Sequence, residues 1–119
     1  MRMKPYTVAI FVGLMLFCTQ AHAQAHAVSL KWNASADAAS NYNVYRLSGA
    51  CPTSGTTGFT KITATAVSGT AYSDSGVAAG TYCYYVTSVL NGAESMPSNL
   101  ALAVILPAAP TSLSIAGTN

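Results

Sequence analysis

Few side chains in this 119-residue sequence are equipped for chemistry. There are three cysteines (Cys18, Cys51 and Cys83), two histidines (His22 and His26) and three carboxylates (Asp37, Asp74 and Glu94). Catalysis needs a nucleophile beside its base, a carboxylate pair or a cluster of metal ligands. Here the carboxylates are scattered. Asp37 and Asp74 stand among turn-forming residues, where a turn or capping role is expected, and Glu94 stands in a Gly- and Ser-containing loop. His26 falls next to a processing site read below, where chain ends are ordinarily disordered. These residues predict no catalytic set, no metal site and no cofactor.

The cysteines carry the clearest chemical signal. Arg2 and Lys4 precede an uncharged apolar run from Val8 to Cys18, and small residues follow at Ala21-His22-Ala23 and Ala25-His26-Ala27. This is the layout of a secretory signal peptide. The apolar run falls short of the ~20 residues that cross a bilayer. Leu16 and Phe17 precede Cys18, where a lipid-modified cysteine would follow small residues. The reading is cleavage after Ala23, with Ala27 the second site, and export of a chain with no membrane span. The product is secreted or held at the cell surface, periplasmic or extracellular in a bacterium. Export leaves Cys51 and Cys83 as a pair in an oxidising compartment, which favours a disulfide. Closing about thirty residues contributes ~3 to 4 kcal/mol by chain entropy. Two free thiols or a metal site are the other readings, and a metal would need further Cys or His ligands.

Beyond the leader, Lys31, Arg46 and Lys61 balance Asp37, Asp74 and Glu94. A formally neutral domain has no basic patch to neutralise phosphates, and no acidic tract suggests a calcium cage. Nucleic acid is therefore not an expected partner. Asn33-Ala34-Ser35 matches the N-x-S acceptor pattern, meaningful only where the export route attaches glycans. A polar turn is its other reading.

The elements that position these residues read as strands. Period-two alternation recurs in short segments broken by Gly, Ser, Asn and Asp, with no helical stripe. Strands are expected at 27–32, with Val28, Leu30 and Trp32 on one face; at 42–47, burying Tyr42 and Val44; and at 59–62, 70–73, 82–90 and 99–106. A loop containing Asn91-Gly92 joins the last two.

Trp32, followed ten residues later by Tyr42-Asn-Val-Tyr-Arg and then by Gly80-Thr-Tyr-Cys-Tyr-Tyr-Val-Thr-Ser and Asn91-Gly-Ala-Glu-Ser-Met-Pro-Ser-Asn, resembles a fibronectin type III domain. The match covers roughly residues 27–106. It implies an all-β, immunoglobulin-like antiparallel sandwich whose strands here are B, C, C′, E, F and G. It further implies that Cys83 points outward on F and that Cys51 follows C, its neighbour, so that the two approach on the outer face. Tyr82 takes the place of the corner tyrosine, whose hydroxyl bonds back to the backbone, and Tyr84 and Val86 continue its inward face. Val77, Ala79 and Gly80 stand where the family usually has Leu and then Pro-Gly. Tyr45 and Tyr85 fall outward on adjacent strands. Such a pair can stack on sugars or fill a partner's pocket, and cross-strand packing explains it equally well.

The ends depart from that pattern. Only Gln24-Ala-His-Ala separates Ala23 from Val28, so strand A is apparently missing at the N-terminus. After residue 106 comes a Pro-rich linker and then Thr111-Ser-Leu-Ser-Ile-Ala, in which Leu113 and Ile115 alternate with serines as in a half-buried edge strand. The organisation is thus a signal peptide (1–23), a fibronectin type III-like domain (24–106) and a strand-A-like tail (107–119). Three readings of the tail stay open: the start of a further domain in a tandem array, a strand folding back on its own strand B, or a strand completing another molecule and linking homo-oligomers. The function expected is a non-catalytic module for adhesion, spacing or protein association, with a protein or carbohydrate ligand. The alternatives are an extracellular filament subunit that uses strand donation, and an accessory domain of a secreted carbohydrate-active enzyme.

Overall fold

The computed structural model describes residues 24–37 and 41–119. The expected leader and its cleavage site lie outside the described residues. Those described form seven strands and no helix, hence none long and apolar enough to cross a membrane. The strands are β1 (His26–Lys31), β2 (Asn41–Ser48), β3 (Thr60–Lys61), β4 (Ala71–Val77), β5 (Gly80–Leu90), β6 (Ala93–Glu94) and β7 (Ala101–Ile105). All pairings are antiparallel. One sheet is β1–β4. The other has the order β3–β2–β5–β6, with β7 also on β5. The result is a β-sandwich, the fold class expected.

Alternation decides what fills the space between the sheets. From β1 come Val28, Leu30 and the following Trp32; from β2, Tyr42 and Val44; from β5, Tyr84, with Val44 and Tyr84 almost fully buried. Trp32 and Tyr42 meet with ring centroids 5.4 Å apart. Most expected strand limits are met within a residue or two, but β4 runs four residues beyond the expected Ser73. Its extension contains a bulge: His26 pairs with Val77 and Ala27 with Ser75, leaving Gly76 unpaired. Gly76 has φ 74°, the left-handed conformation that such a bulge takes and that glycine adopts without a Cβ clash. The extra residue restores Val77, rather than its neighbour, to the buried face.

The last third of the chain follows one edge of β5. Asn91 and Gly92, with φ 52° and 80°, turn β5 into β6, as in a two-residue hairpin loop. β6 was not among the expected strands. Beyond it Pro97 has no N–H to continue a ladder. Serine hydroxyls substitute: Ser88 N–H donates to Ser95 Oγ and Val86 N–H to Ser98 Oγ, each at 2.9 Å. Regular pairing resumes only at β7, two residues later than expected.

Candidate functional site

Among the described residues the two-stranded sheet leaves one edge open on β1 and another on β4. Among the described residues β1 pairs with β4 alone. Trp32 N–H donates to Thr70 O at 2.9 Å, so by ladder alternation Leu30 and Val28 also face β4. Ala27, Ser29 and Lys31 consequently turn their N–H and C=O groups to the free edge. Beside this edge the sheets part over a cleft of about 560 Å³. Leu30, Trp32 and Asn33 form one wall, Ser98, Asn99 and Ala101 the other, and Tyr84 and Val86 of β5 lie between. A smaller hollow of about 150 Å³ adjoins it, sharing Trp32, Asn33, Val86 and Ser98 and reaching the exposed Met96. Trp32 Nε1 is buried and has no acceptor among the described residues. The cleft thus mixes polar and apolar lining in near-equal measure, with the apolar side chains of Leu30 and Trp32 beside an unpaired strand edge.

Exposed apolar groups continue from the other side of this flank. Leu102 and Val104 of β7, and Leu106 after it, all lie on its outer face and are more than half exposed. The tail follows with Leu113 at 97% and Ile115 at 78% exposure, so neither is folded against the molecule's own β1. Ser112 has φ 55°, which interrupts the extended backbone between Thr111 and Leu113.

On the outer face of the larger sheet, Tyr45 and Tyr85 stack with centroids 4.6 Å apart and planes within 9°. Phe59 meets Tyr85 edge-on at 4.8 Å. Tyr85 is left only 8% exposed, so of the expected aromatic pair only Tyr45 has appreciable surface. Tyr45 Oη donates a short hydrogen bond to Glu94 Oε1. The same oxygen accepts from Thr87 Oγ1 at 2.7 Å and Asn43 Nδ2 at 3.0 Å. These donors, Tyr45 first, hold the Glu94 carboxyl down to about 2, and the bond to Glu94 with burial pushes the Tyr45 phenol up to about 12. The carboxylate is the centre of a hydrogen-bond cluster and not a loop residue.

Asp74 also departs from expectation. It sits inside β4, 6% exposed, where a strand-end turn or cap was anticipated. Its Oδ2 accepts from Arg46 Nη1 and from Tyr84 Oη, both at 2.8 Å. Arg46 lies over the Tyr82 ring at 5.7 Å. Burial, then the bond to Asp74, raises the Tyr84 phenol well above its usual range, and the Arg46 guanidinium is held more firmly protonated by Asp74. Nothing local distinguishes this buried bridge in the sequence: Ser73-Asp-Ser-Gly reads as turn chemistry, and only the facing sheet supplies the cation.

Tyr82 Oη donates to Ala78 O at 2.9 Å across the β4–β5 corner. Cys51 and Cys83 form a disulfide with Cα atoms 5.1 Å apart. Cys83 faces outward from the sheet yet is fully buried, capped by the loop that brings Cys51 back after β2. His26, expected beyond ordered structure, opens β1 opposite Val77. Asn33 of the N-x-S pattern is exposed at the end of β1 and lines the cleft. Asp37 is exposed, its N–H donating to Ser35 Oγ at 3.3 Å. Among the described residues no three His, Cys, Asp or Glu side chains stand together as a metal site.

No protein-family model, curated protein or solved structure matches this chain. The functional argument therefore rests on the site's own geometry. An open cleft beside a free strand edge can add a strand through backbone hydrogen bonds and seat alternate side chains in its pockets.

Proposed function

We propose that this is a secreted, non-catalytic β-sandwich module, fibronectin type III-like, that works by associating with protein through the flank between β1 and β7. The observation that carries this reading is the free β1 edge beside the 560 Å³ cleft, with further exposed apolar residues of β7 on the outer face of the larger sheet. Unpaired strand edges and exposed apolar residues are features that protein partners commonly cover. Two of the carboxylates support a non-catalytic role, since Asp74 Oδ2 and Glu94 Oε1 are each engaged by two or more structural donors. A disulfide suits an exported protein.

Sedimentation velocity of the disulfide-intact chain 24–119, over a wide concentration range, tests the reading. The expected result is concentration-dependent association that also shields Trp32, the sole tryptophan, from an added quencher. A monomer at every concentration with Trp32 equally accessible throughout would overturn self-association as the form this binding takes.

A further inference from the structure

We propose that the occupant of the β1 flank is the C-terminal tail of a second copy, with Leu113 and Ile115 entering the cleft and residues 113–116 pairing antiparallel with β1. The proposal rests on the association reading above and names its partner.

Three features of the molecule lead there. First, the acceptor is specific in form: Ala27, Ser29 and Lys31 offer backbone groups at one edge, while Leu30 and Trp32 provide an apolar wall beneath it. An occupying strand must be apolar on alternate residues and polar between them. Second, the tail has that pattern, with Leu113 and Ile115 separated by Ser114 and nearly fully exposed in their own molecule.

Third, the tail is badly placed to serve its own β1. The cleft is walled by residues at the start of β7, whereas the tail leaves from its end. Five residues of strand separate these points by roughly 17 Å. Pro107 to Pro110 span at most about 14 Å even when fully extended, too little to return to the cleft before running antiparallel along β1. A second copy has no such constraint. Docking from Thr111 onward requires Ser112 to leave its left-handed conformation, which the first paired residues would impose.

The donor segment and the acceptor edge lie on different parts of the chain. The contact is therefore heterologous and propagates head to tail into an open filament unless it closes into a ring.

Two kinds of variant separate donor from acceptor. Leu113→Asp/Ile115→Asp changes only exposed tail positions, so the sandwich folds unchanged. Ser29→Pro removes an N–H that faces the free edge and is not used by β4. Circular dichroism and an intact disulfide check its fold, and Ser29→Thr, which keeps the N–H, is the control. In sedimentation velocity the donor variant should associate about tenfold or more weakly than wild type, and Ser29→Pro likewise. An equimolar mixture of the two should give heterodimers and nothing larger, since each supplies the half that the other lacks.

Undiminished association of the donor variant overturns the proposal while leaving the association reading intact, and directs attention to the Leu102 and Val104 stripe. Wild type that never associates overturns the proposal together with self-association as the form of binding, and leaves a different protein as the partner of the flank. If Ser29→Pro misfolds, the donor variant mixed with wild type still decides: it should cap growing assemblies and shorten them, and unchanged assembly size refutes strand donation.

Discussion

Replacing Asp74 by alanine tests how the two sheets are held together. The substitution removes the acceptor that Arg46 Nη1 and Tyr84 Oη share at 2.8 Å. Breaking a fully buried ion pair by deleting one partner costs about 3–5 kcal/mol, and an exposed pair is worth about 0–1. The bridge lies between these limits, because the Asp74 side chain is 8% exposed and that of Arg46 is 30%. Arg46 recovers part of its hydration, whereas the Tyr84 hydroxyl, on a residue 1% exposed, is stranded at about 1–3 kcal/mol. Together these give a loss of about 2–4 kcal/mol, a large share of the roughly 5–15 that holds a domain folded. Asp74→Asn, which can still accept from Tyr84, should lose about half as much. The assay is urea unfolding of disulfide-intact protein, in which the midpoint falls at unchanged slope. Thermal unfolding should fall by on the order of 10–20 °C. A cycle of Asp74→Ala with Tyr84→Phe should show coupling of about 0.5–3 kcal/mol. Asp74→Ala within about 0.5 kcal/mol of wild type, or strict additivity in the cycle, would show that the bridge does not stabilise the interface between the sheets.

Alkylation of unreduced protein should label neither Cys51 nor Cys83, and reduction should lower stability by about 3–4 kcal/mol, as expected for closing a loop of 32 residues. The fold should persist on reduction, since Trp32, Tyr42, Val44 and Tyr84 still supply the core; loss of the circular dichroism signal would contradict this. Because the folded Glu94 carboxyl is depressed from 4.5 to about 2, its contribution is present above pH 4.5 and is lost as pH falls towards 2. Glu94→Gln should flatten that acid limb of the urea midpoint by about 1 kcal/mol or less, the group being solvent-exposed. The Tyr45 phenol, raised from 10 to about 12, contributes stability below pH 10 that is lost as pH rises to 12. A phenolate absorbance titration should show Tyr45 ionising late and returning towards 10 in Glu94→Gln; an unchanged titration would exclude the cluster as the cause. Gly76→Val should cost about 1–2 kcal/mol through its positive φ, read from the urea midpoint, and a neutral effect would mean the bulge relocates.

Much of the β-sandwich was legible before any coordinates, because the facing of Val28, Leu30 and Trp32, or of Tyr42 and Val44, is a property of the pleat and repeats every two residues wherever strands form. The same local logic located the Asn91-Gly92 turn, and the expectation of export signalled the pairing of Cys51 and Cys83. Other features depend on what stands across a gap, and no local pattern encodes that. Asp74 reads as a turn residue until Arg46 and Tyr84 face it from the other sheet, and Tyr85 reads as binding surface until Phe59 folds over it. Glu94 reads as a loop carboxylate until the β5–β6 hairpin sets it against Tyr45, Asn43 and Thr87. The cleft is nonlocal in the same sense: Leu30, Tyr84 and Ala101 come from three strands, and only their packing opens a space between them. The tail joins the two kinds of information. Its alternation has the pattern of an edge strand by sequence alone, while in the structure residues 106–119 form no strand and Leu113 and Ile115 stand in solvent, because a strand forms only where another supplies its backbone partners.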